Sequence, residues 1–599
     1  MPINKNVSIK YTSRDFESIK QDLLEHAKRY YPNSYKDFSA ASFGSLMFDT
    51  VAYAGDILSY YLDYHVNESF LDTSLEFDNV RKHARAMGYK FSGTPSSFGT
   101  VSLFILCPSN SDGTAPDFNY LPILKAGSIF STDNGSTFIL SEDVDFSSET
   151  SDYVAARFDE TTNLTTYYAV RNYAQVHSGI LNAAEADLTN TTFEQFRRVR
   201  VGDSNVSEIL SVEDSEGNKY YEVEHLSQEV VMVETTNPEV FNDGVRSILK
   251  PFSTTRRFVL EQDDTGTYLQ FGFGSEDVDD GGLIDPSRVA LKMQGKNYIS
   301  SKSFDPTKLI TTNKLGISPY NTTLRIVYRT NSPEGTNLSA NELNSVVATN
   351  FIFKDLSLLT DAQTSFVQNS LEVNNDEPIT SIDIDISVDE LKQRAKSSFA
   401  SQGRAVTKID YESLVYTMPP KFGSVTRANI INDPSSTNRK IALYVISQNK
   451  DGHLSPTGQV TKNNIKRWLS QYKSLNDQIE IFDPKIINFE VEFTVMVDKR
   501  YNQEVVLRNC IEHVNLLMRD KFYIAEPLYL TRIYNTLNRV EGVDDVRNVK
   551  VYNKTGNGYS SVSIDMEKIL SRNGTYYKTP QNCILELKYP NENIKGIAK

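Results

Sequence analysis

Asp277-Val278-Asp279-Asp280-Gly281-Gly282 sets three carboxylates and two glycines in six residues, a composition that could wrap a calcium ion. An EF-hand loop closes with a bidentate Glu at its twelfth position, and Arg288 stands there, so the stretch reads as a solvated acidic turn. Gly295-Lys296-Asn297 is the nearest phrase to a nucleotide-binding loop, but it lacks the hydroxyl that would hold magnesium. Gly272-x-Gly274 lacks the third glycine of a dinucleotide fingerprint, because Asp277 occupies that place. No Gly-x-Ser-x-Gly nucleophile elbow occurs. The seven histidines, His26, His65, His83, His177, His225, His453 and His513, lie far apart and join no His-Glu-x-x-His or Cys-rich pattern. Asp263 with Asp264, or Asp383 with Asp385, could be offered as a glycosidase pair, yet acidic turns and strand edges use the same residues far more often. No catalytic, cofactor-binding or metal-ligating residue is assigned, and the chain reads as no enzyme.

The bulk properties point the same way. At 599 residues the chain outgrows a single core, which predicts roughly three or four domains. A net charge of -15 without a long Lys or Arg run argues against nucleic acid and against an anionic membrane as partners. Cys107, Cys510 and Cys583 are too few and too scattered for a disulfide framework, and read as buried thiols made in a reducing compartment. No basic start followed by an apolar run is found at the N-terminus, and no uncharged apolar stretch of about 18 residues occurs. This predicts a soluble chain without an export signal. Aromatics make up 11%, with 33 Tyr and 31 Phe against a single Trp, and such rings suit strands and subunit interfaces.

The elements that would position any site begin with helices. Thr407 can cap a helix, Asp410 at its third position can answer the cap, and Val406 and Tyr411 stand where a hydrophobic staple would clamp the start. The same pattern occurs at Tyr11-Thr12 with Asp15 and Phe16, at Leu338-Ser339 with Glu342 and Leu343, and at Ile386-Ser387 with Glu390 and Leu391, which predicts four helix starts. A helix over about Phe43 to His65 would be about 35 Å long. One face carries Leu46, Tyr53, Ile57, Tyr60 and Tyr64, and a neighbouring face carries Met47, Val51, Ala54, Leu58, Tyr61 and Leu62. That is too much apolar circumference for one-sided packing, so the helix is expected between its own domain and another chain, with Leu46, Tyr53, Ile57, Tyr60 and Tyr64 as candidate interface residues. Asp49, Asp56 and Asp63 mark the remaining stripe, expected to face water or a basic partner.

From Phe98 to about Arg329, short alternating apolar runs separated by Gly, Asn, Asp and Pro predict a mostly antiparallel β domain. Helices return after Ser339, and an alternating acidic Ser381 to Ile386 segment reads as an exposed strand or linker. Beyond it, strands at Ser424 to Ile430, Ile441 to Ile446, Ile486 to Val497 and Val546 to Tyr552 interleave with helices at about Lys462 to Tyr472, Glu504 to Asp520 and Leu530 to Arg539. The tail adds strand-like pieces at Ser560 to Ile564 and Ile584 to Tyr589. The fold class is therefore α+β and multidomain: an N-terminal helical region (1–92), a central antiparallel β-rich domain (93–332), a helical α+β domain (333–432) and small C-terminal α+β modules with a β tail (433–599). Segments Asn331 to Gly335 and Asn374 to Thr380 are hinge candidates between rigid modules.

Val406-Thr407-Lys408-Ile409-Asp410-Tyr411 resembles the Val-Thr-x-x-Asp-Tyr signature of the baseplate J-like family, wedge proteins of contractile bacteriophage tails and related injection machines. Phe271-Gly272-Phe273-Gly274 is similar to the family's Phe-Gly-Asp-Gly strand end, with Phe273 where the family has Asp. Ile326-Val327-Tyr328 followed by Gly335-Thr336-Asn337-Leu338 is similar to its strand and Gly-Gly-Asn turn, with Thr336 in place of a glycine. Phe98 to Tyr268 matches no family motif, and the resemblance covers most of the rest. It implies a structural wedge subunit in the virion tail baseplate, assembled in the host cytoplasm. Its copies would pair and link into an inner ring around the hub, bundle their N-terminal helices with other wedge proteins, and couple baseplate rearrangement to sheath contraction without a cofactor. A phage-associated carbohydrate-active enzyme is the alternative, and a receptor-binding fibre is disfavoured by the absence of internal repeats.

Overall fold

The structure, a computed structural model, describes residues 15–30, 42–89, 95–148, 151–159, 164–203, 205–236, 247–263, 265–274, 315–331, 336–354, 359–380, 387–432, 440–519 and 522–599. The calcium-like turn, Asp264, Asp383 and Asp385, and Tyr11-Thr12 lie outside the described residues. The longer helices are α1 (Phe16–Tyr30), α2 (Phe43–Glu68), α3 (Phe77–Ala86), α4 (Asp361–Asn369), α5 (Val388–Ser401), α6 (Lys408–Tyr416), α7 (Gln459–Ser470), α8 (Gln503–Leu517) and α9 (Leu530–Asn538). Together with the antiparallel sheets they make an α+β chain, as the sequence patterns predict. Two compact units divide it, 1–91 with 386–400 and 92–385 with 401–599.

In the first unit Ser42 caps α2, its Oγ accepting the Ser45 amide at 3.1 Å. Val80, Ala84 and Tyr89 of the α3 region close a small core with Leu391 and Ala395 of α5. The turn from α2 to α3 is fixed by the buried Glu68, whose carboxylate accepts the Leu75 amide at 2.8 Å and the Asn79 carboxamide at 2.9 Å. Burial pushes this carboxyl up, but the Leu75, Asn79 and Glu76 hydrogen bonds outweigh it and hold the group below the usual carboxylate range. At the start of α5 the Ser387 Oγ accepts the Glu390 amide at 3.3 Å, the N-cap bond of the expected box.

The second unit opens with a seven-stranded antiparallel sheet in the order Leu343–Ala348, Ile129–Thr132, Thr137–Leu140, Thr165–Ser178, Phe98–Pro108 and Glu372–Asn374, with Asp152–Phe158 added along Thr165–Ser178. Alternation places Val101, Leu103 and Ile105 inward, against Val170, Ala174 and Val176 of the neighbouring strand. The sheet runs across the division drawn at 332/333 in the sequence, because Leu338, Leu343, Val367 of α4 and Val373 complete the same core. A second seven-stranded sheet runs Ile180–Asp187, Thr323–Thr330, Val206–Glu213, Lys219–Glu222, Arg257–Asp263, Gly266–Gln270 and Arg198–Gly202, with one parallel pair, Lys219–Glu222 on Arg257–Asp263.

Two α+β modules follow. In the first, Lys440–Gln448 pairs antiparallel with Arg427–Asn432 and parallel with Gln478–Phe482, the crossover passing through α7, and α6 packs on the same core. In the second, the thirteen-residue strand Lys485–Val497 takes Val543–Lys554 antiparallel on one side. Cys583–Glu586 and Ile594–Ala598 lie parallel to it, with α8 and α9 on the shared core.

Several expectations are corrected. No helix begins at Ser339: the Ser339 amide does donate to Glu342 at 3.1 Å, but Leu343 onward is a strand, because β-branched Val346 and Val347 extend along Ile129–Thr132. Ser560 to Ile564 is not a strand. Its amides go to side chains instead, Ser560 to Asn488 at 2.7 Å and Ile564 to Asn553 at 3.0 Å. The second hinge candidate is clamped: Asn375 is fully buried, its carboxamide bonding the Leu343 amide and the Ser339 and Glu377 carbonyls, and Ile379 bridges Leu338. Of the first, Asn331 is buried against Ser96 and Ser207, and 332–335 lie outside the described residues.

Candidate assembly surface

A surface helix ordinarily turns its apolar stripe inward, and α2 does the reverse. The side it turns inward carries Ser45, Asp49, Ala52, Gly55, Asp56, Ser59 and Asp63 with one large apolar residue, Phe48, among them, all buried or half-buried. α1 lies against this side: Lys20 Nζ meets Asp49 Oδ1 at 2.8 Å, and a Cβ on Gly55 would stand 3.3 Å from Ile19 Cδ1. Small residues let the two helices approach closely. The acidic stripe therefore finds a basic partner within the chain at Asp49, and Asp56 and Asp63 are half-buried, not turned to open water.

The outward side is apolar over an arc of roughly 200°, taking about 100° per residue. Leu46, Tyr53 and Tyr60 are exposed, Tyr60 by 68%, while Ile57 and Tyr64 are half-buried. Met47, Val51, Leu58, Tyr61 and Leu62 of the neighbouring face are exposed as well. The structure thus brings the five candidate residues onto one continuous line and sets a second apolar line beside it. Thr50, a polar residue inside the arc, folds its hydroxyl back onto the Leu46 carbonyl at 2.9 Å. Phe43, the first residue of the predicted helix, and Val66, one residue past its predicted end, are exposed as well.

The signature segment forms a true capping box. Asp410 N donates to Thr407 Oγ1 at 3.3 Å, and Thr407 N donates to Asp410 Oδ2 at 2.8 Å. The staple is absent, however. Val406 is 67% exposed, whereas Tyr411 is buried and donates its hydroxyl to Asp477 at 2.7 Å, a polar anchor that draws the ring away from the helix start. Exposed Ile409 joins Val406 on the outer side of this start.

The titratable groups that depart furthest from their ordinary values sit in structural surroundings. Burial pushes Cys107 up to about 12 and Cys510 up to about 11, and Cys583 also rises, so all three buried thiols stay protonated and unreactive. Burial and the Arg329 guanidinium push His177 down to about 3, leaving a neutral ring whose Nδ1 meets Ser141 Oγ at 2.8 Å. Arg329 and Arg257, both buried, staple backbone: Arg329 donates to the Ser178 carbonyl at 2.7 Å and Arg257 to the Leu226 and Thr254 carbonyls at 2.7 and 2.8 Å. Among the described residues no group of three or more His, Cys, Asp or Glu side chains is placed to hold a metal ion, and no helix is long and apolar enough to cross a membrane. Asp263 ends the Arg257–Asp263 strand.

No curated protein matches this chain. Among solved structures it is similar to a chain of the 6-fold symmetrised cryo-EM structure of the anti-feeding prophage baseplate, at 12% identity and a TM-score of 0.24, covering 95% of this chain and 90% of that one. It is also similar to a chain of the type VI secretion system TssK-TssF-TssG baseplate subcomplex, at 9% identity and a TM-score of 0.24, covering 74% and 96%. Residues 15–86, which carry α1, α2 and α3, match the family described as bacteriophage baseplate protein, N-terminal domain.

Proposed function

We propose that this chain is a structural subunit of a contractile-tail baseplate wedge. Its copies pair and join other wedge and hub proteins in an inner ring, assembled in the host cytoplasm and carried in the virion, whose rearrangement is coupled to sheath contraction. One observation carries the reading: within the segment matching baseplate N-terminal domains, α2 turns a mostly small and polar side inward and a broad apolar side out. A stripe about 100° wide serves one neighbouring helix, so an arc about twice that width seats two. The line of Leu46, Tyr53, Ile57, Tyr60 and Tyr64 would take one, and the line of Met47, Val51, Leu58 and Leu62 the other. The signature at Thr407 to Tyr411 supports the finer assignment to the J-like wedge proteins, since its box is formed. Closed rings need two different patches per subunit, and an apolar helix in one unit and α+β modules in the other supply them.

The test is co-purification of the full chain with the other baseplate proteins of its particle, followed by cryo-EM of the assembly. Density for α2 inside an intermolecular helical bundle, in a ring around the hub, is expected. A chain that stays monomeric with every partner and is missing from the assembled particle overturns the proposal.

A further inference from the structure

The strand Arg427–Asn432 is an edge of its sheet, with Lys440–Gln448 on one side only. An edge strand presents a row of unpaired amides to any other extended chain, and folds need a device against that. Here the device is α6. The outward amide of Ala428 donates to Tyr416 Oη at 2.7 Å and that of Ile430 donates to Glu412 Oε1 at 3.2 Å. The spacing explains why a helix can do this. Four residues along a helix rise about 6.0 Å and two along a strand about 6.6 Å, so side chains at i and i+4 meet alternate edge amides in step. The two run in opposite senses, Glu412 to Ile430 and Tyr416 to Ala428.

A packing role does not account for these residue types. Ala428 and Ile430 point their side chains into the core with Leu414 and Val415, and an apolar residue at 412 would fill the same margin. Glu412 instead brings a carboxyl into a half-buried position, where burial pushes its pKa up and the Ile430 amide and Lys408 only partly offset it. That cost is explained if the edge must be occupied.

We propose that Glu412 and Tyr416 are edge guards: by holding the Ala428 and Ile430 amides they keep this α+β module from extending its sheet edge to edge with a second copy of the chain.

The experiment uses the full-length E412L/Y416F variant, which removes both acceptors and keeps residues that suit a helix. Hydrogen exchange resolved to Ala428 and Ile430 and sedimentation velocity are read together over a range of protein concentration. In dilute solution both amides should exchange about tenfold faster than in the wild type. As concentration rises they should regain protection while a heavier species absent from the wild type appears. Unchanged exchange at both amides overturns the proposal, and so does faster exchange with no heavier species or with association that leaves both amides open. Trp468, whose Nε1 donates to the Leu414 carbonyl at 2.8 Å, reports whether α6 stays seated. If its emission shifts in the double variant, Y416F alone, which removes one hydroxyl, is read by the same two measures with the same outcomes at Ala428.

Discussion

Lys20 and Asp49 meet at 2.8 Å between α1 and α2, an ion pair on the side of α2 where a surface helix usually keeps its leucines. Both side chains are partly exposed, so the pair itself adds little to stability, and its main significance is directional. It shows which side of α2 is spoken for within the chain.

The opposite side should therefore matter to assembly and not to the fold of the monomer. Replacing Tyr60 and Tyr64 with Ser should weaken association with partner baseplate proteins by at least about tenfold, the cost of losing aromatic anchors from an interface. The unfolding free energy of the isolated chain should change by no more than about 0.5 kcal/mol from exposed Tyr60, as for other surface substitutions, with any further loss coming from half-buried Tyr64. Pull-down titrations and denaturant melts of the same preparation check both; a variant that melts early but assembles normally would reverse the assignment.

At the signature the two halves of the expected helix start should respond differently. T407A removes the acceptor for the Asp410 amide and should cost about 1 kcal/mol, the usual value for a lost N-cap. V406A should cost less than about 0.5 kcal/mol, because the exposed valine clamps nothing. Denaturation followed by Trp468, which hydrogen-bonds the C-terminal half of the same helix, separates the two.

What could be read in the sequence follows the range of the forces involved. The Thr407–Asp410 box is settled within four residues, and the sequence suffices for it. The same pattern at Ser339 and Glu342 fails, since the neighbouring Ile129–Thr132 strand lies beyond any local signal and wins. For α2 the periodicity shows two apolar lines, but which side packs is decided by where α1 sits, and the small residues Ala52 and Gly55 carry that information only once α1 is known to lie there. The first sheet shows the limit most plainly: Ser102 hydrogen-bonds Asp376, 274 residues away, and no local pattern predicts that pairing. The half-buried Glu412 and Tyr416 read as ordinary polar helix positions until the Ala428 and Ile430 amides are placed against them.

Gly272, in the strand-end motif, should tolerate no side chain. A Cβ there would lie 2.2 Å from the Gly316 carbonyl oxygen and 2.3 Å from that of Leu315, both backbone atoms that cannot swing aside. G272A should therefore destabilise by about 1–3 kcal/mol, the cost of overpacking a fitted interior. Ala at Gly217 has open space and serves as the control, the loss there being limited to that of its positive φ. Equal melting of G272A and wild type would mean that the 315–316 segment does not pack against the strand end.

His177 gives the fold a predictable acid response. Burial, with the Arg329 guanidinium nearby, lowers its pKa from an ordinary 6.5 to about 3, so between these values the unfolded chain binds a proton that the folded chain refuses. Stability is unaffected above about pH 6.5 and falls as the pH drops from there toward 3, with a slope of up to about 1.4 kcal/mol per pH unit from this one group. Between pH 6.5 and 5 ordinary carboxylates remain mostly ionised, and the histidine contribution stands apart from theirs. H177Q offers a neutral amide in reach of Ser141, so it should lose that slope while keeping most of the stability at pH 7.5. Urea melts of both proteins at pH 7.5, 6.0 and 5.0 make the comparison. Parallel curves would place a protonated imidazole in the folded state and remove the buried, neutral His177 from this account.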